Sequence, residues 1–368
     1  MTAVDAKQLT YLNETLRLQM EQDPETGFYQ WTQLLDQAMG VSDYGAAQFL
    51  LASMKQILAG GGRTPSPMTI FLIRTTEGSM WARMGQWVES LAAYQRALEM
   101  ARSTGDAEDE AWALSDMGNV YYLSGQYEPA LTCYQQALSV YRQTGDLRQQ
   151  ARVLANLGSV YRDSGQFDEA RASYEDALQS QQNQPDVAAV ALVNLASVLQ
   201  AQGHGQQAAR MYQEAFDLFA ELGDTHGQAQ VLGNLGTLFL DNGDVEQAVD
   251  CFLQDLELHQ QVGDHTGQAQ TLNNLAIAYR RLGRADEALI CYEHSLFLRR
   301  QLADRRGELT TLLNMSVLYE ERGDLDAALN CLFQGQLLAQ ETEDGERLQE
   351  IEERVKELTR LQGQPEGH

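Results

Sequence analysis

Ala155-Asn-Leu-Gly-Ser-Val-Tyr161, Ser164-Gly-Gln-Phe-Asp-Glu-Ala170 and Ser173-Tyr-Glu-Asp-Ala-Leu178 decide the fold. Apolar and small side chains recur there at spacings of three and four on both sides of Gly165, which reads as two amphipathic helices joined by a turn. Moved along the chain in steps of 40 residues the pattern returns, with units starting at Phe71, Ala111, Ala151, Ala189, Ala229, Ala269 and Leu309. Only the step from the third unit to the fourth is two residues short. A period of this length marks a repeat architecture, in which each unit hides its apolar face against its neighbours.

Within the units the same chemistry recurs at fixed places. Leu stands fourth (Leu114, Leu154, Leu192, Leu232, Leu272, Leu312), and a small residue stands eighth (Gly118, Gly158, Ala196, Gly236, Ala276, Ser316). A large apolar residue follows at the eleventh place, Gly at the fifteenth, Ala at the twentieth and, in most units, an aromatic four residues later. The glycine ends the first helix because it enters the left-handed conformation at low cost. The small residues let the two helices approach, and the aromatics are expected to fill the space between one hairpin and the next. Gly105-Asp106, Gly145-Asp146, Gly223-Asp224 and Gly263-Asp264 close their units, Gly ending one helix and Asp capping the next. Pro129 falls in the first turn of a second helix, where its missing N–H costs little.

Residues 155–178 resemble the tetratricopeptide repeat, and the longer Gly-Asp-punctuated unit is similar to those of the LGN/Pins scaffolds and kinesin light chains. The resemblance covers residues 71–340 and implies an all-α fold, a right-handed superhelical solenoid of seven helical hairpins. Two units depart from the pattern. The first has Thr76-Glu77 where later ones have Asn-Leu, and the seventh has Leu332 and Gly335 at its aromatic and Ala places.

The flanks read as further helices. Leu348, Ile351, Val355, Leu358 and Leu361 form the stripe of a capping helix over 341–362, followed by a tail over 363–368. Before the array, Leu9/Leu12/Leu16/Met20, Phe28/Trp31/Leu34/Leu35 and Phe49/Leu50/Met54/Ile57/Leu58 give three helices over 1–59, and the Gly/Pro-rich stretch 60–70 reads as a linker. Residues 1–59 are either a cap with a degenerate repeat or a separate three-helix module. The second layout resembles the bacterial Rap-type regulators, and that resemblance implies a helical module acting on a partner protein and repeats that bind a signalling peptide.

Composition narrows the function. With 52 acidic against 26 basic residues the formal charge is −26, which opposes nucleic acid and anionic lipid as main ligands. Neither a leader nor a membrane-length apolar run is evident, so a soluble, cytoplasmic protein is expected. No phosphate loop, nucleophile elbow or paired catalytic carboxylate is visible, which points away from an enzyme and calls for no cofactor. The expected partner is a protein or an extended peptide.

The groove for that partner is expected on the first helices. The sixth place carries Asp116, Asn156, Asn194, Asn234, Asn274 and Asn314. A carboxamide there can bond a peptide backbone without reading its side chains, or it can tie one repeat to the next. The family resemblance implies a ladder like that of O-GlcNAc transferase. The variable second, fifth, ninth, twelfth and thirteenth places supply selectivity through Asn119, Tyr122, Arg152, Arg162, Asn273, Arg280 and Arg281. Arg pairs bidentately with carboxylates, so Arg280 and Arg281 are candidates for an acidic motif on the partner. Cys133, Cys251, Cys291 and Cys331 all fall at the twenty-third place and read as packing thiols. The histidines show no metal-ligand spacing, and no metal is expected.

Overall fold

The computed structural model describes residues 14–20, 22–40, 44–59, 66–179, 185–342 and 344–362. The expectations for Leu9, Leu12, residues 60–65 and the tail fall outside that set. Every regular element among the described residues is helical. The chain divides into two compact units, Met1–Gln182 and Asn183–His368.

In the first unit a helical run over 14–20 (α1) precedes α2 (Pro24–Gly40) and α3 (Tyr44–Ala59). Three hairpins follow: α4 (Pro67–Arg83) with α5 (Trp87–Thr104), α6 (Ala107–Leu123) with α7 (Tyr127–Thr144), and α8 (Leu147–Asp163) with α9 (Phe167–Gln179). Helix α4 begins inside the stretch expected to be linker. Ser66 accepts from the Thr69 N–H and Pro67 takes the first helical position, a start signal that the glycine run before it obscures. Trp31, Leu35 and Met54 share one apolar cluster with Ile73 and Met80 of α4, so the N-terminal helices and the first repeat have a common core. Trp31 Nε1–H donates to the Leu50 carbonyl at 2.9 Å, which satisfies its only polar group inside that core.

In the second unit the hairpins are α10 (Pro185–Ala201) with α11 (Gly205–Leu222), α12 (Thr225–Asn242) with α13 (Val245–Val262), α14 (His265–Arg281) with α15 (Ala285–Gln301), and α16 (Arg305–Glu321) with α17 (Leu325–Glu341). Helix α18 (Gly345–Gln362) packs on α17 and sinks Ile351 and Leu358 into the core that runs back to Leu240.

The turn chemistry follows the sequence closely. Gly105, Gly145, Gly223 and Gly263 end their helices with φ between 68° and 76°. Asp106, Asp146, Asp224 and Asp264 each accept from the N–H three residues on. The sixth repeat departs from this: Ala303 holds φ 54° where other units have glycine.

The recurring aromatics of the second helices are buried, and Phe252 and Tyr292 belong to one apolar cluster that runs across consecutive hairpins. Their rings lie flat on the small residue of their own hairpin. A Cβ on Gly118, Gly158 or Gly236 would stand 2.5–2.7 Å from the ring of Tyr134, Tyr174 or Phe252. The eighth place is therefore small because a ring occupies the space where a side chain would go. The four cysteines are buried and free, and burial pushes their thiols up to about 11.

Candidate functional site

In the first unit, α4 and α6 together with α2 line a pocket of about 480 Å³. Leu72, Thr76 and Ser79 come from α4, Trp112, Asp116 and Asn119 from α6, and Asp36 from α2. Trp112 is set against Phe71 with ring centroids 5.7 Å apart. Burial pushes the Asp116 carboxyl up to about 6, although the Arg152 charge and hydrogen bonds from Tyr94 and Asn119 pull the other way. Asn119 is the hub: Nδ2 donates to Asp116 at 3.3 Å, while Oδ1 accepts from Tyr134 at 2.6 Å and from Asn156 at 3.2 Å. Two consecutive first helices are thereby tied through one carboxamide. Arg152 itself is exposed.

The second unit repeats the device with different partners. Asn314 Nδ2 donates to Asn273 Oδ1 at 3.0 Å, again from one first helix to the preceding one. Asn194, Asn234 and Asn274 are half-buried on α10, α12 and α14. For Asn156 and Asn314, then, the bond between repeats is present.

The twelfth and thirteenth places were expected to vary for the sake of a ligand. In the structure they pair across repeats. Tyr122 donates to Asp163 at 2.5 Å, Gln200 to Asp241 at 3.0 Å and Arg280 to Glu321 at 2.6 Å. Each donor lies 41 residues before its acceptor, so a twelfth place meets the thirteenth place of the next unit. Arg162 bonds its neighbour Asp163 at 2.8 Å, drawing that carboxylate into the same cluster. Arg281 donates to the Leu240 carbonyl at 2.7 Å in the last turn of α12, where the Gly243 N–H donates as well. Neither Arg280 nor Arg281 is therefore an idle cation; both are held by their neighbours.

Sequence reasoning missed a buried polar cluster in the fifth repeat. The twenty-seventh place reads Ala97, Ala137, Ala177, Ala215, Asp255, Ser295 and Gly335. Asp255 is 4% exposed and accepts from Thr271 Oγ1 at 2.8 Å. His259, one turn on, stands 3.1 Å from Asp255 and 2.9 Å from Asp264. Aligning the twenty-seventh place would have revealed the charge among small residues; its partners arise only from packing.

A family model for the tetratricopeptide repeat matches residues 77–143, 130–183, 186–261, 227–301 and 267–334. The chain belongs to the tetratricopeptide repeat family. The apo quorum sensor NprR of B. thuringiensis is 16% identical, with 91% of this chain and 94% of that one covered and a TM-score of 0.66. Aspartyl phosphate phosphatase F of Bacillus subtilis is 14% identical, with 92% and 96% covered and a TM-score of 0.63. A Rap protein solved with competence and sporulation factor is 15% identical, with 93% and 98% covered and a TM-score of 0.55. These likenesses are likenesses of fold. No curated protein matches the chain in sequence. Among the described residues, no helix is long and apolar enough to cross a membrane.

Proposed function

We propose that the chain is an interaction scaffold that takes an extended peptide or protein segment against its first helices, with the pocket between α4 and α6 as the principal anchor. The observation that carries this reading is the composition of that pocket. An aromatic, Trp112, stands beside a buried carboxyl and a carboxamide hub in about 480 Å³, enough for one or two side chains of a ligand. Above pH 6 the Asp116 carboxylate favours a ligand group that donates hydrogen bonds or carries positive charge. An acidic motif on the partner that engages Arg280 would share or compete with Glu321, which Arg280 holds through Nη1 at 2.6 Å.

The test is selection of peptides on the full chain, followed by calorimetry with the best binder. Trp112→Ala with Asp116→Ala is expected to weaken binding at least tenfold with helicity unchanged. Affinity for a cationic ligand is expected to fall as pH drops through about 6, where Asp116 takes up its proton. Unchanged affinity in the double variant would remove the pocket from the reading.

A second reading, a peptide-responsive regulator of the Rap kind, is favoured by fold likenesses that extend over the N-terminal helices as well as the repeats. In that case a partner docks on α2 and α3, where Tyr29 is 62% exposed, and groove ligand changes its affinity. Thermodynamic independence of the two binding events would leave the scaffold reading alone.

A further inference from the structure

We infer that His226, His259 and Asp264 hold a divalent transition-metal ion of the zinc class at the turn end of the fifth repeat, with Asp255 supporting His259 from behind. The ligand atoms of the three residues lie within 4.8 Å of one another. They come from three elements that meet at one end of the hairpin: the first turn of α12, the last turn of α13 and the N-cap of α14. Two imidazoles and one carboxylate are the donor set that suits zinc, nickel and cobalt, and the open positions would be left to water or to a partner's ligand.

Three observations go beyond proximity. First, His259 Nδ1 is buried, and although Asp264 Oδ2 stands 2.9 Å away, no aligned hydrogen bond satisfies it. A buried nitrogen lone pair without a donor is costly, and an ion between it and Asp264 would use both. Second, the other imidazole nitrogen faces Asp255, whose Oδ1 at 3.1 Å is itself buried without an aligned bond. A carboxylate behind a ligating histidine holds the ring and raises its basicity, which is the usual outer support of a zinc-bound imidazole. Third, Asp255 occupies a place where four other repeats have Ala, so repeat packing alone does not call for a charge there. Gly267 completes the arrangement, because any Cβ at that position would overlap the His259 ring.

The ligands fit the ion after a modest adjustment. Zinc sits about 2.0–2.1 Å from imidazole nitrogen, so His226 must close in while the 2.9 Å gap between His259 and Asp264 opens slightly to admit the ion. His226 is exposed and can swing inward without disturbing the core. Asp264 can offer Oδ2 while Oδ1 continues to accept from the Gly267 N–H at 3.0 Å. The ion would bridge α12, α13 and α14, joining two consecutive repeats, and its charge would offset the two carboxylates beside His259.

The full chain, stripped with chelator, is titrated with ZnCl2 against a chromogenic competitor, and with CoCl2 for its visible ligand-field absorption. One ion per chain and a metal-dependent rise in melting temperature are expected. His226→Ala, at an exposed position, should weaken binding at least tenfold with the metal-free fold unchanged. Asp255→Ala, which restores the residue of other repeats and removes no ligand, should weaken it about 10–100-fold. His204→Ala, an exposed histidine in another turn, should bind as the wild type does. Equal affinity in the wild type and the His226 variant would overturn the site. So would an equal loss on changing His204, which would mark the binding as adventitious. A cluster stabilised by protons and indifferent to metal would overturn it as well.

Discussion

Hairpins α10/α11 and α12/α13 share their turns, their lengths and the ring-over-glycine contact with the helix that follows, yet their interiors differ in polarity. In the first, Ala215 and Phe219 are buried and Val231 occupies the third place of the next unit. In the second, Asp255 and His259 stand at the corresponding places and Thr271 replaces the valine. Phe219 covers Gly227 as His259 covers Gly267. The comparison shows that the repeat constrains volume and helix spacing at these places and leaves polarity open, provided that each polar group finds a local partner.

The largest effect is expected when the polarity is moved without its partners. Ala215→Asp places a carboxylate among Phe219 and Val231 and should cost about 3–5 kcal/mol, read as lost hydrogen-exchange protection in residues 185–242. The converse transplant, Asp255→Ala with Thr271→Val, converts the second interior into the first. In metal-free protein at neutral pH it should be neutral or stabilising by about 1–4 kcal/mol, measured by denaturant unfolding.

The transplant should also flatten a pH dependence. Burial pushes the Asp255 carboxyl up to about 6, above its ordinary 3.8. The folded state therefore binds this proton more tightly than the unfolded chain, so its contribution is fully present below about 4 and is lost as pH rises through about 6. As pH falls through that window the wild type should gain stability relative to the Asp255→Ala, Thr271→Val double variant, read from paired unfolding curves. A parallel pair of curves would break the comparison.

A smaller change tests the hydroxyl. Thr271→Val alone leaves Asp255 without its 2.8 Å donor and should cost about 1–3 kcal/mol, whereas the same change paired with Asp255→Ala should cost far less. The smallest effect concerns the turns. Gly223 and Gly263 are relaxed at φ 68° and 70°, but Ala303 occupies the same region at 54°. Ala303→Gly should stabilise by about 1 kcal/mol, visible as a small rise in melting temperature.

Much of the fold could be read from local signals. The helix starts at Asp106, Asp146, Asp224 and Asp264 and the stops at the paired glycines agree between sequence and structure because a cap bonds within three residues of itself. The candidate site was less legible. Asp116 and Asn119 were expected at the groove from their places in the unit, and the pocket gathers them with Trp112, but the tie from Asn156 to Asn119 spans 37 residues. Glu77 was visible only as a departure from the pattern. Its carboxylate is 1% exposed and meets Lys55 of α3 at 2.7 Å and Arg74 at 3.0 Å. Those two cations hold it below the usual carboxylate range against the opposing effect of burial.

The sequence by itself determined the all-α class, the 40-residue hairpin, the turns and the buried free thiols, because each follows from spacings of three to eight residues along one helix or one turn. Only the tertiary structure decided which polar residues meet: Tyr122 with Asp163, Arg280 with Glu321, Arg281 with a helix-end carbonyl, and His226 with His259 and Asp264. These contacts depend on the rise and rotation from one hairpin to the next, which the stacked cores set collectively and no short stretch of sequence encodes.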